Sequence, residues 1–225
     1  MRRSGKVRTS GGRTQSRNGE CAIQQLETRR LLSAIAGRFL FYDNSYFDQN
    51  TPGPNAADDA AIAIDKKALL PGQTATFANY SSYSRGINGI FVDFAKLPNP
   101  SAVGLSDFEF AVGTSPDAST WTAAPAPVSI TVRTGAGIGG SDRVSLIWAD
   151  GAIAGKWLRV TVRATAATGL AVSDVFYFGN AVGEAGDSPT NALVTSADEL
   201  LARINPRTPA NPAPITDPYD YNRDG

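Results

Sequence analysis

The sequence predicts an all-β body, an antiparallel β-sandwich or jelly roll, followed by a short helical module. Three observations carry this. Short apolar or alternating runs recur at fairly even spacing over residues 39–183, turn-forming residues separate them, and the convincing helical pattern lies beyond them, after Thr195. A parallel βαβ architecture would need a helix between successive strands, and the intervals between these runs do not supply one.

The runs are residues 38–42, 74–78, 89–94, 108–112, 128–133, 144–148, 157–162 and 175–178. Between them stand Pro71-Gly72, Pro98-Asn99-Pro100, Ser115-Pro116-Asp117, a glycine-rich stretch from Gly135, and Asp150-Gly151. These residues preset turn dihedrals or tolerate them at low cost. The run at 157–163 alternates most cleanly. Leu158, Val160 and Val162 share one side while Trp157, Arg159, Thr161 and Arg163 share the other, so one face meets the core and one meets solvent. Within residues 56–69, Ala56-Ala57-Asp58-Asp59-Ala60-Ala61 is the helical exception. A body of residues 39–183 is long enough to bury a substantial core on its own.

Several motifs reduce to structure. Gly135-Ala136-Gly137-Ile138-Gly139-Gly140 satisfies G-x-G-x-x-G literally, but the dinucleotide fingerprint opens a helix at its last glycine. Here a strand-like run, Asp142-Arg143-Val144-Ser145-Leu146, follows instead, so the stretch reads as a connection between two strands.

Composition narrows the chemistry. The 225 residues contain no His, which excludes Ser/His/Asp triads, Cys/His dyads and His-based zinc sites within the chain. The single cysteine, Cys21, has no intrachain partner for a disulfide or a thiolate cluster. Carboxylates remain as the acid–base groups, and a polysaccharide-active hydrolase would need two of them facing each other across a sugar bond. Asp43, Asp48, Asp58, Asp59, Asp93, Asp107, Glu109, Asp142 and Asp150 fall in the body, mostly at strand ends and turns, where Asp serves backbone hydrogen bonding. The expectation is a chain that is not an enzyme. Asp58-Asp59 with Asp43 and Asp48 read either as a solvated acidic loop or as hard oxygen ligands for a structural calcium.

The aromatic residues give a second reading. Tyr80-Ser81-Ser82-Tyr83-Ser84-Arg85-Gly86 reads as a polar loop, and Tyr80, Tyr83 and Arg85, joined by Trp121, are the residues expected to stack on and hydrogen-bond a sugar. Trp148 and Trp157 read equally as packing.

The chain ends Asp220-Tyr221-Asn222-Arg223-Asp224-Gly225, the D-x-[DN]-x-[DN]-G opening of a calcium loop. Asp220, Asn222 and Asp224 supply its first, third and fifth oxygens, and Gly225 its turn glycine. The motif is half a loop, so the expectation is that it continues in a longer protein. A second copy starts 33 residues upstream at Asp187, with Asn191 at its fifth position and Asp198 at its twelfth. Pro189 and Ala192 replace the third oxygen and the turn glycine of this copy. Thr195 and Asp198 form a capping box leading into Glu199-Leu200-Leu201-Ala202-Arg203-Ile204. Over residues 184–225, with a Pro-rich spacer at 206–218, the chain resembles a type I dockerin, the duplicated module of two EF-hand-like calcium loops, each followed by a helix. That resemblance implies calcium as cofactor and a cohesin-like protein as partner.

At the other end, Leu26-Glu27-Thr28-Arg29-Arg30-Leu31-Leu32-Ser33-Ala34 is similar to the L-E-x-R-x-L-L-S segment near the start of many secreted planctomycete proteins. Residues 1–38 hold nine Lys/Arg against two Glu, so the formal neutrality of the chain hides a basic head and an acidic remainder. This head lacks interleaved aromatics, which argues against a nucleic-acid arm. It reads as a basic, largely disordered leader or export segment with a short apolar run at 31–37. No run reaches the 18 or so apolar residues of a spanning helix. The sequence therefore points first to a non-catalytic secreted or cell-surface β-sandwich module with a calcium-dependent attachment tail. A carbohydrate-binding module is the alternative, and a polysaccharide-active hydrolase is a third reading.

Overall fold

A computed structural model of the protein describes Met1 and residues 32–225. The basic head, Cys21 and most of the segment from Leu26 lie outside the described residues. Among the described residues the strands are β1 (Ile35–Phe41), β2 (Tyr80–Ser81), β3 (Gly89–Phe94), β4 (Phe108–Gly113), β5 (Thr122–Ala123), β6 (Ser129–Arg133), β7 (Asp142–Ile147), β8 (Trp157–Val162) and β9 (Asp174–Asn180), and the one α-helix is α1 (Ser196–Ile204). They form a four-stranded sheet in the order β1-β3-β7-β6 and a five-stranded sheet in the order β2-β9-β8-β4-β5. Every pairing is antiparallel except that of β2 with β9. The expected all-β class holds.

Alternation places the core. Leu40, Ile90, Val92, Phe94, Val144 and Leu146 from one sheet join Phe108, Val112, Leu158, Val160, Val162, Phe176 and Phe178 from the other in a single buried cluster. Trp157, Arg159 and Thr161 face away from it and are only half-buried, as the period of two requires. The outer face of the four-stranded sheet is covered as well. Phe41 and Phe91 stack there at 4.0 Å between ring centres, and Arg143 grips Asp93 with two hydrogen bonds of 2.8 Å. That cover explains why β3 and β7 are buried along their whole length.

Some expected elements shift. Residues 74–78 form no strand; Phe77–Asn79 is a 3₁₀ turn capped by Thr76. Two-residue β2 and β5 carry too little periodicity to be read from sequence. Strand β1 starts at Ile35, so Ile35 and Gly37, within the apolar run read as leader, pair with β3, with a register shift between them. The helical stretch from Ala56 is a 3₁₀ segment, Ala57–Ala61. The Gly135–Gly140 stretch does connect two strands, β6 and β7.

Two local closures position the site. After β1 the chain leaves the sheet and returns at once: Tyr42 N–H donates to Ala61 C=O at 3.1 Å and Ala63 N–H to Leu40 C=O at 2.9 Å. Residues 43–60 are thereby pinched into a loop at the end of β1. The C-terminal segment then packs against that loop. Tyr46 N–H donates to Arg223 C=O at 2.9 Å, and Ser84 N–H to Tyr221 C=O at 2.7 Å. Residues Leu31–Gly225 accordingly form one compact unit. No helix among the described residues is long and apolar enough to cross a membrane.

Candidate metal centre

The pinched loop brings three carboxylates together. Asp43, Asp48 and Asp58 each offer an oxygen, and these oxygens lie within 4.8 Å of one another. The residues are 4 %, 0 % and 0 % exposed. Local turn chemistry aims them. Asp48 accepts from Asn44 N–H at 2.5 Å and Ser45 N–H at 2.8 Å, closing a 3₁₀ turn at Tyr46–Asp48 whose C-cap, Gln49, is left-handed. Asp58 Oδ2 accepts from Asn55 N–H at 2.9 Å, and Asp43 Oδ1 from Gly53 N–H at 3.1 Å. Among the described residues Asp58 Oδ1 has no hydrogen-bond partner although it is buried, and neither has Ser45 Oγ in the same loop. An orphaned carboxylate oxygen in the interior is costly unless something positive meets it.

The electrostatics agree. Burial pushes Asp43 up to about 7, with the charge of Asp58 adding to it. Burial pushes Asp58 up to about 6 against the Asn55 N–H bond, and it raises Asp48 despite four backbone N–H groups. Three acids that resist ionising next to one another are short of positive charge. The donor set is all oxygen, which suits a hard cation and not a thiophilic or imidazole-seeking metal. Asp59 does not belong to the group. Its carboxylate pairs with Arg133 at 2.9 Å and Arg143 at 2.7 Å, and these guanidinium bonds outweigh its burial and hold it below the usual range.

Two of the residues expected to bind sugar, Tyr83 and Arg85, turn out to brace this loop. Tyr83 is fully buried, edge-on to Tyr42 at 5.0 Å, and its hydroxyl donates to Asp43 C=O at 3.2 Å. Arg85 donates to Asn44 C=O at 2.7 Å and pairs with Asp150 at 3.1 Å. Asn88 accepts from Asp43 N–H and donates to Asp43 C=O and to Asp150. Tyr80 is buried too, with its hydroxyl on Glu184. The reading of 80–86 as an exposed loop fails because β2 inserts this segment beside β9 at a sheet edge that the tail covers. Of the four expected sugar contacts, Trp121 borders an open groove.

A second acidic group lies in the tail. Glu184, Asp187 and Asp198 bring oxygens within 4.8 Å of one another. Asp187 and Asp198 thus come together as the loop motif requires. Asn191 does not: it is exposed, accepting from Leu193 N–H at 3.0 Å and donating to Ser188 Oγ at 3.0 Å. Glu184, absent from the motif reading, is the third residue of the group, and its only sequence signal is its place three residues before Asp187. Thr195 caps α1 and Asp198 completes the capping box. Burial works to raise Asp198, but N–H bonds from Thr195 and Ala185 prevail and hold it low. The oxygens of Glu184 and Asp198 are already bonded to protein donors, unlike Asp58 Oδ1.

At the chain end, Asp220 accepts from Asp224 N–H and Gly225 N–H, both at 3.3 Å, and Asn222 donates to Asp224 at 2.8 Å. Burial raises Asp220 above the usual range. The chain therefore carries acidic clusters that could hold a metal ion, the triad being the most enclosed. No protein-family model matches the chain, and neither a curated protein nor a solved structure matches it.

Proposed function

We propose that this chain is a non-catalytic, exported β-sandwich module stiffened by calcium at Asp43, Asp48 and Asp58, with residues 184–225 acting as a dockerin-like attachment tail. The observation that carries the reading is the buried triad, in which Asp58 Oδ1 has no hydrogen-bond partner among the described residues. Calcium takes 6–8 oxygen ligands in flexible geometry. Three carboxylates on one short loop, with carbonyls and water completing the shell, suit it better than the rigid octahedron magnesium demands. The ion would convert mutual repulsion into a cross-link between the two arms of the loop.

Burial also supports a structural role over a catalytic one. A glycosidase pair must flank a sugar bond in an open groove, whereas these acids are sealed inside the protein. The tail supports attachment through its capped helix and its end loop, where Asp220 already gathers two backbone N–H groups. A cohesin-like protein is the partner this reading implies.

The test is thermal unfolding of the full chain in millimolar calcium, in millimolar magnesium, and in chelator. The expected order of melting temperature is calcium above magnesium above chelator. Identical melting in all three would sink the calcium reading.

A further inference from the structure

We propose that the outer face of the five-stranded sheet is a binding groove for a neutral oligosaccharide. A groove of about 500 Å³ runs over that face between residues 69–75 and residues 114–121, within the roughly 300–1,000 Å³ usual for small-ligand sites. One wall is fixed to the sheet edge, since Leu69 and Tyr177 exchange two backbone hydrogen bonds of 2.9 Å.

The floor is aromatic, and glycines make room for it. Trp157 pairs with Gly113 on one side and Gly179 on the other. A Cβ at Gly113 would come within 2.3 Å of the Trp121 ring, and one at Gly179 within 3.1 Å of the Trp157 ring. The bare backbone lets both indoles settle onto the sheet, beside Tyr177, which meets Trp121 edge-on at 5.7 Å. Trp121 is locked there by its Nε1–H bond to Ser115 C=O at 2.9 Å.

The remaining polar groups define the ligand. Among the described residues no charged side chain lines the groove, which selects against phosphates, carboxylates and ammonium groups. Trp157 Nε1, the Tyr177 hydroxyl, the Thr114 hydroxyl and the Gln73 amide nitrogen make no hydrogen bond among the described residues, while Gln73 Oε1 is held by Leu70 N–H at 3.0 Å. Ring surface combined with two neutral N–H donors and two hydroxyls that also accept matches a pyranose, whose C–H face is apolar and whose rim is hydroxyl. A proline-rich segment would use the rings and the donors but offers no donor to the Tyr177 and Thr114 hydroxyl oxygens.

The test is tryptophan fluorescence titration of the calcium-loaded full chain with cellohexaose, xylohexaose, mannohexaose and laminarihexaose, with trigalacturonate and decaproline as comparators. The expected result is saturable binding of at least one neutral hexaose, weakened about tenfold or more by Trp121→Ala or Tyr177→Ala. Tyr177→Phe, which keeps the ring, should fold as the parent does and weaken binding less. Failure of all four neutral sugars to bind would overturn the proposal, as would binding of only trigalacturonate or decaproline. So would sugar binding that all three variants leave unchanged.

Discussion

The guanidinium of Arg223 lies 4.6 Å from the centre of the Tyr42 ring and donates to its hydroxyl at 3.2 Å. Tyr42 directly precedes Asp43, so the end of the chain is fastened to the strand exit that carries the first carboxylate of the triad. The same guanidinium donates to Asp217 C=O at 2.8 Å and to Asp220 C=O, at the first residue of the segment 220–225. Arg223 holds this position at a left-handed φ of 54°, a conformation that costs a non-glycine residue about 1 kcal/mol or more. The contacts outweigh that cost, and they tie two acidic loops to one aromatic residue.

Replacing this latch should loosen the tail. Arg223→Ala leaves two carbonyls and two hydroxyls in a buried site without their donor, so the expected loss is about 2–4 kcal/mol. Arg223→Lys should recover little, because one ammonium cannot span a planar fork. Limited proteolysis would show cleavage between residues 205 and 225 accelerated in both variants. Parent-like resistance in Arg223→Ala would contradict the latch.

The triad makes stability depend on pH in an unusual direction. Folded Asp43 and Asp58 titrate at about 7 and about 6, against an ordinary 3.8. Between those limits the folded chain keeps protons that the unfolded chain has released, so without metal these groups lose stability as pH rises from about 4 to 7. Calcium displaces the protons and reverses the trend. The rise in melting temperature on adding calcium should therefore grow from pH 5 to pH 8. At a concentration about 100 times Kd it should reach roughly 5–10 °C. A rise that shrinks with pH would contradict the assignment.

Asp58→Asn separates binding from packing. The amide oxygen can still accept from Asn55 N–H, but one buried negative charge is gone. Chelated Asp58→Asn protein at pH 8 should be more stable than the parent by about 1–3 kcal/mol, while the gain from calcium falls away. Chemical denaturation with and without the ion measures both. A variant less stable in chelator would mark Asp58 as merely structural.

On the other face of the four-stranded sheet, Arg143 is 4 % exposed and binds Asp93 through two nitrogens and Asp59 through a third. Arg143→Lys leaves part of that buried charge unmet and should cost about 3–5 kcal/mol, read as a lower midpoint in urea. A near-neutral effect would show that water replaces the lost donors.

Much of the fold was legible because it rests on period-two burial. The run at 89–94 matches β3 residue for residue, and Leu158, Val160 and Val162 reach the core as their alternation requires. The helix cap at Thr195 was legible because its hydrogen bonds join residues three apart. The site was legible only in part. Asp43, Asp48 and Asp58 read as an acidic loop, but their convergence depends on bonds such as Tyr42 to Ala61 that leave no mark in composition. Tyr80 and Tyr83 looked exposed because serines surround them, whereas long-range packing beneath the tail buries both. Asp59 looked equivalent to Asp58, and only the partner strands, which bring Arg133 and Arg143 to it, tell them apart.

Calorimetric titration of calcium into the full chain at pH 7.5, with Asp58→Asn and an Asp187→Asn/Asp220→Asn double variant beside the parent, tests the central claim most directly. The account predicts a saturable site with Kd at or below about 10⁻³ M, lost in Asp58→Asn and retained in the double variant. No uptake by the parent, or uptake that Asp58→Asn leaves intact, would contradict it.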